Sequence, residues 1–328
     1  MSTRVSRLAV NGVELVVHEA GDRANPTVVL SHGFPELAHS WRHQLPALAA
    51  AGYHVIAPDQ RGYGHSSAPT DITAYGVTQL TGDLLALLDH YGKDDAVFVG
   101  HDWGALIVWE TARLRPERVR AVVGVSVPLV AWPGPPTQLM KMVYTDRFFY
   151  ILYFQQVGPP EAELGADPRV TLERFLYSAS GPASIGREMP TELPPMEGTG
   201  FLSMLTGDLP PLPFIGPEGP WLTAADLDVY ASEFANSGFF GPVSYYRNLD
   251  ANYEVVKDLG PDRLAMPSYF ITGELDGVRT MDPTGIDRMR EALPDFRGAS
   301  IIDGAGHWVQ QETPAAFNEA LLGFLSSL

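Results

Sequence analysis

The chain has 328 residues, 45 % apolar and 19 % charged, the balance of a folded globular protein in one large domain or a core carrying an insertion. Its 22 Lys and Arg against 39 Asp and Glu give a formal charge of −17, which sets it against nucleic acid and anionic membrane surfaces as partners. It has no cysteine, so a disulfide framework, a thiolate nucleophile and a cysteine-held metal are excluded, and a reducing, cytoplasmic setting is expected.

Residues 1–10 carry two arginines and no apolar run of leader length, and no stretch has the roughly 18 apolar residues of a membrane span. Neither a targeting segment nor membrane insertion is expected. Residues 13–18 and 28–31 read as β-strands that end at turn residues. The spacing predicts a helix over 40–51 closed by Gly52, a buried strand over 53–57, and a helix over 78–91 with Gly92 beyond its end. A strand at 96–99, a helix at 105–114 and a strand at 119–127 follow. Such alternation predicts an α/β fold, a mostly parallel sheet with helices on both faces. The rhythm then stops. Sixteen of the 28 prolines fall between Pro133 and Pro242, among aromatic helical pieces at 147–156 and 224–237. It resumes with a strand at 268–272, a helix at 286–293, a strand at 300–302 and a helix at 315–325. The simplest division is a core of 1–132 and 259–328 interrupted by a helical insertion of 133–258.

The strand at 96–99 runs into Gly100-His101-Asp102-Trp103-Gly104, which opens a helix. This is the nucleophile-elbow pattern, glycines flanking a reactive residue in a strand–turn–helix context. The reactive position holds Asp102 in place of the usual serine. A carboxylate gains little by attacking an ester or amide, since the product is an anhydride. Attack on an sp³ carbon bearing a leaving group gives a stable alkyl ester that water can cleave. Asp102 therefore points to epoxides or alkyl halides. In elbow enzymes the chain order is nucleophile, acid, histidine. Of nine histidines, His307 alone follows Asp102, in the loop Gly304-Ala305-Gly306-His307-Trp308. The acid should follow the strand at 268–272, where Asp276 is the first choice and Glu274 the second. No acid follows the strand at 119–127, which runs into Ser126-Val127-Pro128. The oxyanion donors should be the backbone N–H groups of Trp103 and Phe34, with a cis bond expected before Pro35. Trp41, Phe34, Trp103, Phe154 and the Pro-rich loop 189–214 are candidate walls of an apolar pocket.

His32-Gly33-Phe34-Pro35, Asp59-Gln60-Arg61-Gly62-Tyr63-Gly64, His101-Asp102-Trp103-Gly104 and Gly306-His307-Trp308 together resemble the epoxide hydrolases of the α/β-hydrolase fold, over nearly the whole chain. The likeness is strongest to bacterial and soluble mammalian-type enzymes. It implies a helical cap domain with two tyrosines that hold the epoxide oxygen. The family's local motifs map these to Tyr150 and Tyr246, with Tyr153 and Tyr245 as second choices. Pro35, Trp41, Tyr153 and Phe154 are the implied substrate contacts. The resemblance implies a small apolar epoxide as substrate, a vicinal diol as product, no cofactor or metal, and a monomer or homodimer. The alternatives are a haloalkane dehalogenase, which usually has a side-chain donor or acid where this chain has Phe34, and a ligand receptor on the same fold.

Overall fold

The computed structural model describes residues 3–185 and 192–328. Its centre is an eight-stranded sheet. Strands β1 (Arg4–Val10), β2 (Val13–Ala20), β3 (Thr27–Ser31), β4 (His54–Pro58), β5 (Ala96–His101) and β6 (Val119–Val125) belong to the first part of the chain. A two-stranded ribbon, β7 (Phe214–Gly216) and β8 (Gly219–Leu222), stands apart, and β9 (Ser268–Gly273) and β10 (Phe296–Ile302) complete the sheet. The order is β1-β2-β4-β3-β5-β6-β9-β10. Strand β2 runs antiparallel to β1 and β4, and every later pair is parallel.

The central strands bury both faces, and their side chains divide by the period of two. Val28, Leu30, Val97, Val99, Val123 and Val125 pack on one side with helices Gln44–Ala50 and Pro314–Leu325. Val29, Phe98, Val122 and Phe270 pack on the other with helices Val77–His90 and Trp103–Leu114. Near-continuous β-branched runs of this kind form strands covered on both faces.

Between β6 and β9 lie helices Pro136–Tyr144, Tyr150–Tyr153, Pro159–Gly165, Pro168–Ser178, Gly181–Ser184, Ala224–Ser237, Phe240–Arg247 and Leu249–Val256. Six of the strands expected from sequence and the helices at 78–91, 105–114, 224–237, 286–293 and 315–325 are present to within a few residues. Several expectations need correction. The helix expected at 40–51 is a 3₁₀ turn, Ala38–Trp41, followed by helix Gln44–Ala50. The helix expected at 147–156 shrinks to Tyr150–Tyr153, because Phe149 is extended. The strand expected at 300–302 begins earlier, at Phe296, and the small ribbon was not anticipated. Among the described residues no helix is long and apolar enough to cross a membrane.

Candidate active site

Strands β3, β5, β9 and β10 end on the same edge of the sheet, where open parallel sheets form their sites. The loop after β5 carries Asp102 at φ 52°, ψ −116°, in the left-handed region that few non-glycine residues occupy. Its carbonyl accepts from Ala105 N at 3.0 Å, so the strained residue also begins helix Trp103–Leu114. The turn is tight enough to require glycine on both sides. A Cβ on Gly100 would stand 2.0 Å from the Gly104 carbonyl oxygen, and one on Gly104 would stand 2.0 Å from that of Ser31.

Asp102 reaches the neighbouring loop after β3, where the Phe34 N–H donates to its Oδ1 at 2.8 Å. The Phe34–Pro35 bond is cis, as expected. On the other side His307 Nε2 stands 3.6 Å from Asp102 Oδ2, and its Nδ1 lies 3.1 Å from Asp276 Oδ1. Burial opposes a charge on His307, but Asp276 and Asp102 outweigh it and hold the imidazole well above its ordinary pKa. Burial likewise works against ionised Asp276. His307, the Val278 N–H and the Ser126 hydroxyl prevail and keep it below the usual carboxylate value. Glu274, the second choice for the acid, is exposed and accepts from Gly304 N at 3.0 Å.

Three groups outside the sequence reading clamp these loops. His101 places Nδ1 2.5 Å from Glu36 Oε2 and Nε2 2.8 Å from the His307 carbonyl. Glu36 also accepts from Gly33 N at 2.9 Å, and His101 with other donors outweighs its burial to depress it to about 2. The pair ties the oxyanion loop to the histidine loop. Ser126 Oγ donates to the same His307 carbonyl at 2.9 Å. Glu312, fully buried, accepts from Gly306, Trp308 and Gly181, the last of these in the inserted segment. Their signal was adjacency to the motifs: His101 lies inside the elbow, and Glu36 follows Pro35.

A cavity of about 460 Å³ opens beside Asp102, walled by Trp103, Leu106, Ile107 and, from the inserted segment, Tyr150 and Tyr246. The two tyrosine rings meet edge to face at 5.8 Å, and burial together with the nearby Asp102 raises both phenols well above their ordinary pKa. The second choices point elsewhere. Tyr153 donates to Glu163 at 2.8 Å and Tyr245 to the Arg61 carbonyl at 2.9 Å. Tyr153 therefore does not stand as a substrate contact.

Other expected walls also need correction. Trp41 is fully buried on the far side of the sheet, 6.1 Å from Phe317. Phe34 and Phe154 pack behind Tyr246, at 5.5 and 5.1 Å, and neither they nor Pro35 line this cavity. None of residues 192–214 lines it, and residues 189–191 of the expected Pro-rich wall lie outside the described residues. Among the described residues no cluster of His, Asp and Glu gathers as a metal site.

Residues 26–158 match the family model of the alpha/beta hydrolase fold. The chain is 47 % identical to epoxide hydrolase A of Mycobacterium tuberculosis, covering 97 % of this chain and 96 % of that protein. It is 36 % identical to bifunctional epoxide hydrolase 2 of Sus scrofa over 96 % of this chain and 54 % of that longer one. The crystal structure of epoxide hydrolase A from Mycobacterium thermoresistibile superposes with a TM-score of 0.88 at 45 % identity, covering 99 % of this chain and 98 % of that one.

Proposed function

The chain belongs to the epoxide hydrolases of the α/β-hydrolase fold, and from that premise we propose that it hydrolyses an apolar epoxide to a vicinal diol through an ester on Asp102. The observation that carries this reading is a carboxylate facing two phenols across an apolar cavity, with a histidine–aspartate pair behind it. Phe34 N–H holds Oδ1, which leaves Oδ2 as the attacking oxygen. Oδ2 bonds to a ring carbon, the carbon–oxygen bond of the ring breaks, and the oxygen takes a proton from Tyr150 or Tyr246. Both phenols are neutral donors in this setting, aimed where alkoxide charge develops.

His307 then takes a proton from water, and the hydroxide adds to the ester carbonyl carbon of Asp102. Charge moves onto the oxygen beside the N–H groups of Phe34 and Trp103. The tetrahedral adduct then collapses to the Asp102 carboxylic acid, which gives its proton to the departing diol oxygen, and the imidazolium of His307 returns its proton to the tyrosinate. Asp276 orients His307 and balances the imidazolium. The steps call on no cofactor or metal. In this reading 1–132 and 259–328 are the core, and 133–258 is a cap that supplies the tyrosines. The reading extends to a cytoplasmic monomer or homodimer, on the grounds of a cysteine-free acidic chain.

Single turnover in ¹⁸O-water tests the mechanism. The diol of the first turnover should carry unlabelled oxygen from Asp102, with label entering the carboxylate. Label in the first diol would show direct attack by water and overturn the ester.

A further inference from the structure

We propose that Arg247 and Gln155 are positioning residues that lock Tyr150 in place against Tyr246, so that both hydroxyls meet one epoxide oxygen. The proposal rests on the epoxide-hydrolase reading above and names the residues on which its ring-opening step depends.

The two tyrosines sit on separate short helices, Tyr150–Tyr153 and Phe240–Arg247. Their anchorage is unequal. Residues on both flanks of Tyr246 are tied to the core. The Tyr245 hydroxyl donates to the Arg61 carbonyl at 2.9 Å, and Asn248 Nδ2 donates to the Ile72 carbonyl at 2.7 Å. A helix as short as Tyr150–Tyr153 has too few internal hydrogen bonds to hold its own shape and place. What fixes it must come from its neighbours.

Arg247 supplies much of that hold. Adjacent residues of a helix point about 100° apart, so Tyr246 can line the cavity while Arg247 reaches the chain that leaves the Tyr150 helix. Its Nε–H donates to the Phe154 carbonyl at 3.0 Å, and its Nη2–H donates to the Gln156 carbonyl. Nη1 stands 2.6 Å from Glu161 Oε1, with the Arg247 side chain only 3 % exposed. Glu161 is itself fixed, because its Oε2 accepts from the Gly158 N–H at 2.9 Å. Burial opposes a charge on Glu161, but Arg247 and backbone N–H groups prevail and keep it below the usual carboxylate value. Gln155 closes the clasp from the other side. Its Nε2 donates to the Tyr246 carbonyl at 3.0 Å and to the Ile151 carbonyl at 2.9 Å.

Each tyrosine-bearing segment thus gives a side chain to the backbone of the other. A rigid planar fork that meets two carbonyls and a carboxylate fixes both distance and angle, which a flexible ammonium does not. Neither Arg247 nor Gln155 lines the cavity, so both act through the tyrosines. The better-anchored Tyr246 is the reference, and Tyr150 is the group held against it. The two rings meet edge to face at 5.8 Å. A displacement of about 1 Å at a reacting group can slow a positioned reaction by about 100-fold.

The test is rapid-quench single turnover of styrene oxide by the full-length enzyme, with ester formation and ester hydrolysis resolved. Arg247→Met should slow ester formation by roughly 10-fold, and by no more than Tyr150→Phe does. Ester hydrolysis should change by less than about twofold, since His307 and Asp276 are held by the loops of the sheet. Arg247→Lys should recover part of the loss, and Gln155→Leu should slow ester formation by about threefold. In a Tyr150→Phe background Arg247→Met should cost less than about twofold more, the non-additivity of a residue that acts through another. Equal slowing of both steps would overturn the clasp in favour of a general structural role, and so would an undiminished cost in Tyr150→Phe. Ester formation at the wild-type rate in both Arg247→Lys and Gln155→Leu would overturn it even if Arg247→Met does not fold. Those results sink the clasp alone, whereas a wild-type enzyme that forms no ester from styrene oxide sinks the epoxide reading with it.

Discussion

Asp102, Asp276 and His307 leave the ends of β5, β9 and β10, strands locked into one sheet, whereas Tyr150 and Tyr246 stand on helices of four and eight residues in the segment between β6 and β9. The first group is held by backbone. Its loops are cross-linked by Glu36–His101, Ser126 and Glu312 through hydrogen bonds of 2.5 to 3.1 Å. The second group is held by rings. Tyr246 meets Phe34, Trp103, Tyr150 and Phe154 with centroids 5.0 to 5.8 Å apart, mostly edge to face. A sheet edge fixes an attacking oxygen and a proton acceptor against each other. A packed aromatic cluster fixes two hydroxyls over a cavity whose size the substrate must share. Turnover should therefore fail outright when the sheet-borne groups change, and only slow when one of the ring-borne groups changes.

The sharpest break is Asp102→Ala, which should lower turnover by at least about 10⁴-fold, the scale for loss of a nucleophile. The readout is diol formed from styrene oxide by fresh enzyme. Next is His307→Gln, expected to lower turnover by about 10³- to 10⁴-fold while leaving alkylation intact. Intact-mass measurement should then show one substrate mass added per chain. A variant that stays unmodified with excess epoxide would mean that His307 acts before the ester forms.

The same histidine gives the pH dependence its sign. Two carboxylates raise its pKa in the free enzyme, and alkylation of Asp102 removes the charge of one of them. His307 should lose its proton more readily in the ester than in the free enzyme. Only the neutral imidazole can accept a proton from water, so ester hydrolysis should rise with pH and then level off. A single-turnover rate that falls between pH about 6 and 8 would contradict the assignment.

Tyr150→Phe and Tyr246→Phe sharpen the comparison from the other side. Each should slow alkylation by about 10- to 100-fold without abolishing it, because one donor to the oxygen remains. The double variant should lose more than either alone, and pre-steady-state formation of the ester separates this from an effect on hydrolysis. Equal rates in wild type and both single variants would remove the tyrosines from the proposed mechanism.

The same contrast governed what could be read from the sequence. Strands buried on both faces announce themselves as runs of valine, and an elbow between glycines has few alternatives. Counting histidines then left His307, and the structure puts it 3.6 Å from Asp102. Trp41 was misplaced because a large aromatic near a motif looks the same whether it faces the pocket or the far side of the sheet. Tyr153 was kept because it lies three residues from Tyr150, one helical step away. Both lie in helix Tyr150–Tyr153, but Tyr153 gives its hydroxyl to Glu163 and does not line the cavity.

Tyr153→Phe carries the smallest expected effect and tests that local geometry directly. The Tyr153 hydroxyl donates to Glu163 Oε2, and Glu163 also accepts from the Phe201 and Leu202 N–H groups at 2.9 Å. Glu163 thus anchors the 3₁₀ turn Phe201–Met204, whose Phe201 packs 5.2 Å from Phe154 and 6.0 Å from Tyr150. Removing one donor leaves the carboxylate with two backbone partners. The loss should be about 1 kcal/mol, the net value of such a bond, and lower Tm by about 2 to 4 °C. Alkylation should change by less than about twofold, since the hydroxyl faces Glu163 and away from Asp102. A variant with unchanged Tm but alkylation slowed as far as in Tyr150→Phe would exchange the two tyrosines. It would mean that the short helix turns a different face to the cavity.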